Sequence, residues 1–360
     1  MDILTATADF EEWVSRHIPV VKDQISNKHR LMAESPIQFL RGTFYRWTQV
    51  LPGVCREVTK APAVVAVGDL HIASFGTWRD GFGRLIWGVD DFDEAYPLPY
   101  TNDLLRLAVS SVLDALQGEI KVGLRNVVEV ILDGYTSGLK EGGEPFVLEE
   151  EHKWLRKIAL DRLDVPGAFW SKMDGLPVSR NPIPPAARKA IAGLLPAPQL
   201  PYRVVRRTAG IGSLGHPRYV AVAEWQGGQI ALEAKAAIPS ACAWARPGGS
   251  SQIYYQDVLE HAIRCPDPFV RLSGEWLVRR LAPDSSPIEI ENMSGHKDQD
   301  KLLHAMAWET ANVHVGTNRV AGRIIADLKK RSGRMLREAV KKMVAATLED
   351  WKEWKKVHSS

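Results

Sequence analysis

Two apolar segments that each end in acidic residues constrain the fold of this chain more than any other feature. Residues 64–67 are typical of a buried strand, and they end at Gly68-Asp69. Residues 85–89 are a second apolar run, which ends in the sequence DDFDE at 90–94. Carboxylates this close raise one another's pKa and repel, whereas a divalent cation prefers carboxylate oxygens. The pattern therefore predicts a cation-binding site beside two adjacent strand ends.

The composition is that of a soluble globular protein, with 45% hydrophobic and 25% charged residues. A chain of 360 residues is too long for one small core, so we expect two lobes or domains. The net charge of +3 does not by itself indicate nucleic acid, and the basic tail at 319–360 is interpreted as a solvated helix face. The three cysteines show neither disulfide nor zinc-site spacing. Without a signal peptide or an apolar run that could span a membrane, we expect a cytoplasmic protein.

Apolar periodicity predicts helices and strands in separate parts of the chain. Helical spacing covers 8–33, 104–115, 123–140, 148–163, 251–264, 302–314 and 319–360. Strands are predicted at 202–207, 218–225, 229–236 and 275–281, and a polar loop at 284–300. The proline-rich segment 176–201, with one short helix at 186–195, is the best candidate linker.

A glycine-rich sequence, GIGSLG at 210–215, matches the pattern GxGxxG. A dinucleotide fingerprint would need a helix after it and an acidic residue about 20 positions further on. Here a strand follows, and Lys235 occupies that position. This favours a kinase-type loop, in which backbone N–H groups cover phosphates and a lysine on a later strand neutralises them. An ordinary glycine hairpin with a surface lysine would also be compatible with the pattern.

The sequence Gly68-Asp-Leu-His71 is compatible with two kinds of site. In a metallophosphoesterase, Asp69 and His71 would both ligate a metal, but the later Gly-Asp and Gly-Asn-His blocks of that class are missing. In a kinase-like phosphotransferase, Asp69 would accept the proton of a substrate hydroxyl. The Asp91-Phe92 pair, 22 residues beyond Asp69, is placed to supply the metal ligand that follows such a loop.

Seven segments resemble a bacterial family known as domain of unknown function 2252. They are FLRG (39–42), GDLHIASFG (68–76), DDFDEA (90–95), DLLRLAVS (103–110), GIGSLG (210–215), LEAK (232–235) and VRRL (278–281). That family resembles a circular permutation of the kinase-like fold of aminoglycoside and choline phosphotransferases. The order of motifs agrees, because the catalytic-loop and metal motifs precede the glycine-rich loop and lysine, and a helix ending in His314 comes last.

The resemblance implies an α+β, two-lobed, circularly permuted protein-kinase-like fold. Residues 1–200 would form most of a helical lobe that carries the catalytic loop and metal motif. Residues 201–283 would form an antiparallel β lobe with the glycine-rich loop and lysine, and residues 284–360 would return to the helical lobe.

The resemblance also implies roles for individual residues. Asp69 is expected to be the catalytic base, Asp91 the principal Mg²⁺ ligand and Lys235 the partner of the nucleotide phosphates. The phosphate-covering loop would comprise Gly210, Gly212, Ser213 and Gly215.

Further residues are expected to support this machinery. Asp103 would hold the catalytic loop from behind, and His71 would also support this loop. Glu260 is the expected ion-pair partner of Lys235. Arg41 is either a surface arginine or an anion clamp. Ser74 stands where the family places an asparagine that binds a second metal, and Asp93 is positioned to substitute for it.

The expected activity is ATP- and Mg²⁺-dependent transfer of the γ-phosphoryl group to a hydroxyl of a small-molecule acceptor. Ser74 keeps open a nucleotide-binding pseudokinase that acts as a scaffold. Nucleotidyl transfer from an inverted ATP and the chemistry of a metallophosphoesterase are also compatible with the motifs. Nucleic acid is not an expected partner.

Overall fold

Helices and short strands alternate along the chain, and the computed structural model describes residues 1–118, 123–161, 163, 165–179, 182–246, 248–285, 296–316, 320–331 and 333–358. The helices are α1 (Ile3–Ser15), α2 (Lys22–Glu34), α3 (Pro36–Gly42), α4 (Phe44–Val54), α5 (Thr101–Ala115), α6 (Leu124–Glu141), α7 (Lys153–Leu160), α8 (Pro166–Asp174), α9 (Pro185–Ala192), α10 (Ala241–Ala245), α11 (Tyr255–His261), α12 (His296–Val315), α13 (Ala321–Lys330) and α14 (Gly333–His358). The strands are β1 (Ala63–Ala66), β2 (Phe75–Arg79), β3 (Leu85–Val89), β4 (Tyr96–Pro99), β5 (Phe146–Val147), β6 (Arg203–Val205), β7 (Arg218–Trp225), β8 (Gly228–Ala236), β9 (Arg271–Ser273) and β10 (Trp276–Leu281). This mixture of helix and sheet is consistent with the predicted α+β class.

The largest sheet is antiparallel and has the strand order β6-β7-β8-β10-β9. Its register places Lys235 opposite Arg218, and Glu233 lies between Val220 on β7 and Arg279 on β10. Because directly opposed residues point to the same face, these charged side chains share one face of the sheet. The neighbouring residues on each strand point to the other face.

Both faces of this sheet are covered by the segment that precedes it. On one face, Ala187 and Ile191 of α9 pack against Leu232, Ala234 and Val278. On the face that carries the charged residues, α8 buries Phe169 and Met173 against outer apolar positions of β6, β7 and β10. The proline-rich segment is therefore more than a linker. The predicted lobe boundary at residue 200 assigns α8 and α9 to the helical lobe. In the structure both helices pack on the sheet and bury its apolar faces.

The helical part is built around α5, which is buried on nearly all sides. Helices α6 and α12 pack against each other so closely that only glycine fits at residue 134, where a methyl group would lie 2.3 Å from the carbonyl oxygen of His304. Helix α14 crosses α2 and α5. No helix among the described residues has the length and apolarity needed to cross a membrane.

The two acid-ended strands belong to different sheets. Strand β1 pairs with β4, whereas β3 pairs with β2 and β5. The acidic segment 90–94 runs from the end of β3 into β4, so the pairing of β4 with β1 returns it to Gly68 and Asp69. The ends of β1 and β3 are thus brought together by the segment that connects β3 to β4, and β1 and β3 do not pair with each other.

The predicted elements agree with the structure where the sequence pattern is strong. Strands predicted at 218–225 and 229–236 are β7 and β8, and the run 85–89 is β3. The segment 8–33 forms two helices, with a break between them at 16–21 that contains Pro19. Of the polar loop at 284–300, residues 286–295 lie outside the described residues, and α12 already begins at His296.

The contact between α6 and α12 gives a stability prediction. Gly134→Ala should destabilise the protein by about 1–3 kcal/mol, because the added methyl group meets backbone atoms of α12 and forces the helices apart. Gly322→Ala, a helical glycine with no atom within 4 Å of the added methyl group, should be neutral or slightly stabilising. Urea unfolding monitored by circular dichroism measures both; equal effects at the two sites would contradict the packing described.

Candidate functional site

A cleft with a cavity volume of about 340 Å³ lies between the five-stranded sheet and the helical part. This volume is at the lower end of the range of about 300–1,000 Å³ found for small-molecule sites. The cleft brings together most of the residues expected to act in one site: Arg41, Asp69, His71, Ser74, Asp91, Asp93, Gly210, Gly212 and Ser213 all line it. Lys235 reaches the same acidic segment through its ammonium group.

Asp69 is held by a fully buried arginine of α5. Nε of Arg106 donates to Oδ1 of Asp69 over 2.7 Å, and its Nη2 donates to the carbonyl of Leu40 over 2.7 Å. The guanidinium lies 5.0 Å from the ring centroids of both Phe44 and Trp47. Desolvation raises the pKa of Asp69 to about 6, although the positive charge of Arg106 opposes the shift. A carboxyl with this pKa exists largely as a base near neutral pH and is in the range suited to general-base catalysis.

Asp103 anchors the loop that carries Asp69. Its carboxylate is fully buried and accepts the backbone N–H groups of Val67 over 2.7 Å and Gly68 over 3.1 Å. It also bonds Nε2 of His314 over 2.9 Å, and Nδ1 of His314 bonds the hydroxyl of Tyr135 over 2.7 Å. The expected position of Asp103 behind the catalytic loop agrees with this geometry, and α12 reaches the loop through His314.

His71 and Ser74 are used within the loop itself. Oγ of Ser74 is buried, accepts the N–H of His71 over 3.1 Å and lies 3.1 Å from Nδ1 of the same ring. Nδ1 of His71 also accepts the N–H of Ala73 over 3.2 Å. Desolvation holds the pKa of His71 well below its ordinary value, so the ring is neutral. The Ser74 hydroxyl therefore shapes the loop, and these bonds compete with its expected role as a metal ligand.

The acidic segment supplies two carboxylates to the cleft beside Lys235. Nζ of Lys235 forms a short ion pair with Oδ2 of Asp93, and the N–H of Asp93 donates to Oδ1 of Asp91 over 3.1 Å. The Asp91 side chain is exposed to the cleft, yet desolvation by the surrounding walls and the charge of Asp93 raise its pKa. Desolvation also raises the pKa of Asp90 to about 6.

The lysine's acidic partner differs from the one expected. Glu260, on α11, is exposed, and its Oε1 accepts the side-chain amide of Gln256 over 2.8 Å. Lys235 pairs instead with Asp93, 142 positions earlier in the chain. The cause is geometric, because α11 is short and its Glu260 lies on the solvent side of its last turn.

The glycine-rich loop connects β6 to β7 and passes directly over Asp69. A methyl group at residue 212 would lie 3.7 Å from Oδ2 of Asp69. Gly210 and Gly215 have φ values of +70° and +96°, which favour glycine. Buried Lys28 of α2 donates to the carbonyl of Gly212 over 3.1 Å.

Helix α2 also fixes the far end of the glycine-rich loop. The N–H of Val21 donates to the carbonyl of Gly215 over 2.9 Å, and the side chain of Gln24 accepts the N–H of Gly215 over 3.1 Å. Nη2 of Arg218 donates a hydrogen bond to Oγ of Ser213 over 3.0 Å. Arg41 is half-buried in the cleft wall, and its buried Nε has no hydrogen-bond partner among the residues that the structure describes.

Glu94 ties the acidic segment to the start of α10. Its Oε2 accepts Oγ of Ser240 and the N–H of Ala241, each over 2.7 Å. Its carbonyl lies so close to Gly68 (φ +83°) that a methyl group there would be 2.2 Å away. Desolvation raises the pKa of Glu94 to about 8, so the carboxyl is largely protonated at neutral pH.

Asp91 and Asp93 are the carboxylates of the cleft that could hold a metal ion together with a ligand. Among the described residues, no group of three or more His, Cys, Asp or Glu side chains is arranged to hold a metal alone. Mg²⁺ is commonly held by one or two carboxylates together with substrate phosphates. Asp91 and Asp93 provide that number, and a cation would oppose both causes of the raised pKa of Asp91, which are desolvation first and the charge of Asp93 second.

Comparison with known families identifies the chain. Residues 20–163 and 203–357 match the family described as "Uncharacterized protein conserved in bacteria (DUF2252)". The chain belongs to this family, as the sequence motifs predicted. The unmatched segment 164–202 contains α8 and α9, which cover the sheet. Comparison with curated proteins gave no match, and comparison with solved structures also gave none.

Sequence reasoning missed several residues that shape the site. Arg106, Lys28, Glu94 and the arginines around Glu233 were not assigned a role. Arg106 could have been noticed, because it interrupts the apolar run of DLLRLAVS three positions after Asp103, on the same helix face. Lys28 gave no local signal, since its partner Gly212 is 184 positions away.

The raised pKa of Glu94 predicts a pH dependence of stability. Because the folded-state pKa of about 8 exceeds the ordinary 4.5, the contribution of this group is fully present below 4.5 and is lost as pH rises through 8. Glu94→Gln stays neutral and can still accept from Ser240 and Ala241, so its melting temperature should increasingly exceed that of the wild type across this window. Glu12→Gln, at an exposed position, should follow the wild type. A constant difference between Glu94→Gln and wild type would contradict the assignment.

The hydrogen bonds of Asp103 predict that the loop at Val67 and Gly68 becomes less ordered when one carboxylate oxygen of Asp103 is replaced. Asp103→Asn replaces an acceptor of backbone N–H groups with a donor and should cost about 1–3 kcal/mol for the unsatisfied group. Hydrogen exchange at the amides of Val67 and Gly68 should accelerate more than exchange in β7 or β8. Asp9→Asn, at an exposed site, should change neither. Unchanged exchange at Val67 and Gly68 would show that the loop is held by other contacts.

Proposed function

We propose that this protein is an ATP- and Mg²⁺-dependent phosphotransferase with a circularly permuted, kinase-like architecture. One observation carries the proposal: the ion pair between Lys235 and Asp93 joins the sheet to the acidic segment inside the cleft where the glycine-rich loop passes over Asp69. Phosphotransferases of the kinase class combine these parts, namely a glycine-rich loop, a lysine, metal-binding carboxylates and a catalytic aspartate. The proposed acceptor is a small molecule with a hydroxyl group, and the proposed location is the cytoplasm.

The topology supports the same proposal. The glycine-rich loop joins the first two strands of the five-stranded sheet, and Lys235 lies on the third strand, β8. Protein kinases place their phosphate-binding lysine on the third strand of the small lobe. The helix α12 meets the Asp69 loop through His314 and Asp103, although it is far later in the chain. This is the connection expected where a permutation has moved the start of the chain.

The site residues would divide the work as follows. Asp69, with its raised pKa, would accept the proton of the acceptor hydroxyl, while Arg106 fixes the orientation of the carboxylate. Lys235 would exchange its contact with Asp93 for contact with phosphate oxygens. Asp91 and Asp93 would hold Mg²⁺, which when bound neutralises charge on the phosphates. The N–H groups of the glycine-rich loop would cover those phosphates and exclude water.

The geometry does not favour a metallophosphoesterase. A metal ligand at Asp69 would have to compete with the Arg106 guanidinium, and Nδ1 of His71 already accepts the N–H of Ala73. A nucleotide-binding pseudokinase stays as the second candidate, because the Ser74 hydroxyl is occupied inside the loop. Nucleotidyl transfer uses the same residues and is separated from phosphoryl transfer by its products.

The test separates binding from transfer. ATP with Mg²⁺ should raise the melting temperature of the wild type; Asp91→Asn should lose the Mg²⁺-dependent part of the shift. Asp69→Asn should keep the shift but lose about 10²–10⁴-fold in transfer to a panel of hydroxyl compounds. Asp9→Asn is the control for loss of an exposed carboxylate. Mass spectrometry of the products distinguishes phosphoryl from adenylyl transfer.

Four results would count against the proposal. Absence of a nucleotide shift in the wild type would remove its basis, and normal turnover by Asp91→Asn would show that the metal assignment is wrong. A nucleotide shift without transfer to water or any acceptor would favour the pseudokinase. Phosphatase activity with Mn²⁺ that survives Lys235→Ala would favour the metallophosphoesterase.

A further inference from the structure

Three arginines surround one buried carboxylate on the sheet side of the cleft. Oε1 of Glu233 accepts hydrogen bonds from Nη1 of Arg218 over 2.7 Å and from Nε of Arg279 over 3.0 Å. Its Oε2 accepts Nη1 of Arg207 over 3.0 Å. These four residues are here called the arginine cage; Glu233, Arg218 and Arg279 share the face of the sheet that carries Lys235, and Arg207 follows β6. Arg207 and Arg279 line the same cleft as Asp69 and Asp91.

The cage carries more positive charge than Glu233 can balance. Burial alone would raise the pKa of Glu233, but the three guanidinium groups hold it well below its ordinary value, so this carboxylate is ionised. Two of the three positive charges are left without a carboxylate in the cage. Asp90 and Asp91 lie close enough to attract Arg279 but accept no hydrogen bond from it. Buried like charges repel and are costly to desolvate, so an anionic ligand would stabilise the cage.

The three arginines have different roles. Arg218 is buried, and its Nη2 also donates to the carbonyl of Ala209 and to Oγ of Ser213, each over 3.0 Å. Arg207 and Arg279 have side chains that are 25% and 28% exposed, and each makes one hydrogen bond through one nitrogen. Within the described part of the chain, their other guanidinium N–H groups have no acceptor. Because they are partly exposed and line the cleft, Arg207 and Arg279 are the arginines of the cage that can offer donors to a ligand there.

We propose that Arg207 and Arg279 form an anion subsite of the cleft that binds a phosphate group, with Glu233 holding both guanidinium groups in orientation. Guanidinium groups present paired N–H donors that match phosphate oxygens, and such charge-assisted bonds are strong. The inference goes beyond the proposed function, because it requires only that a phosphate-bearing ligand enters the cleft. Only the assignment of that phosphate to a nucleotide rests on the proposed function.

The subsite changes what can bind beneath the sheet. An adenine ring bound against β10 would cover the Arg279 guanidinium without supplying an anion. A phosphate at this level supplies that anion. The phosphate can belong to the nucleotide itself or to an anionic acceptor, and the two sources differ in whether ATP competes for the subsite.

Binding of simple phosphates tests the subsite directly. Arg207→Gln and Arg279→Gln should each weaken tripolyphosphate binding about tenfold or more in isothermal titration calorimetry at fixed ionic strength, because one charged fork is lost. Arg125→Gln removes the same charge from a side chain that is 82% exposed and outside the cleft, so it should bind as the wild type does. Each cage variant leaves Glu233 with two guanidinium partners and should fold, which its melting temperature verifies.

Competition then identifies the source of the phosphate. If Mg²⁺ and ATP displace inorganic phosphate from the wild type, the subsite belongs to the nucleotide; if both bind together, it belongs to the acceptor. Either result supports the subsite, provided that the cage variants lose the phosphate. Equal binding by the wild type and both cage variants, or no binding by the wild type, overturns it. Phosphate binding that needs the cage but is accompanied by no ATP binding keeps the subsite and removes the proposed nucleotide.

Discussion

The buried carboxylate of Asp103 is the contact on which the geometry of the cleft depends. Helix α5 is enclosed by other helices, so each of its polar side chains needs a partner within the protein. Asp103 binds the backbone at Val67 and Gly68, and Arg106, one turn further on, binds the carboxylate of Asp69. The packing of a single helix thereby fixes both the path of the loop that carries Asp69 and the direction of the Asp69 side chain.

The second organising constraint is the opposite charge of the two sides of the cleft. Asp69, Asp91 and Asp93 lie on the helical side, whereas Lys235 and the arginine cage lie on the sheet. The ion pair between Lys235 and Asp93 spans the cleft, so closure of the two sides is favoured electrostatically. A phosphate ligand accompanied by a cation would place each charge against its opposite. This arrangement explains why so many carboxylates with raised pKa are tolerated in one place.

The sequence predicted the parts of this site that depend on local patterns. Alternating apolar residues between glycine turns predicted β7 and β8, and the motif resemblance predicted that Asp69 and Lys235 would serve one site. Contacts between distant segments were not predictable: Lys235 was assigned to Glu260, whereas the fold supplies Asp93, 142 positions earlier in the chain. The packing of α9 was missed for a similar reason, since the short helix predicted at 186–195 gave no sign of its partners on the sheet, and no helix was predicted where α8 lies.

The position of Ser74 and the charge of the cage have to be considered together. The Ser74 hydroxyl is occupied within the loop, so the chain lacks the side-chain amide that the family resemblance led us to expect as the ligand of a second metal. Charge on a transferred phosphate would then be balanced by one cation at Asp91 and Asp93, and by fixed positive groups. Lys235, Arg207 and Arg279 already provide such groups on the opposite side of the cleft. A fixed guanidinium needs no reorganisation when charge develops beside it, so replacing a second metal with arginine is compatible with transfer.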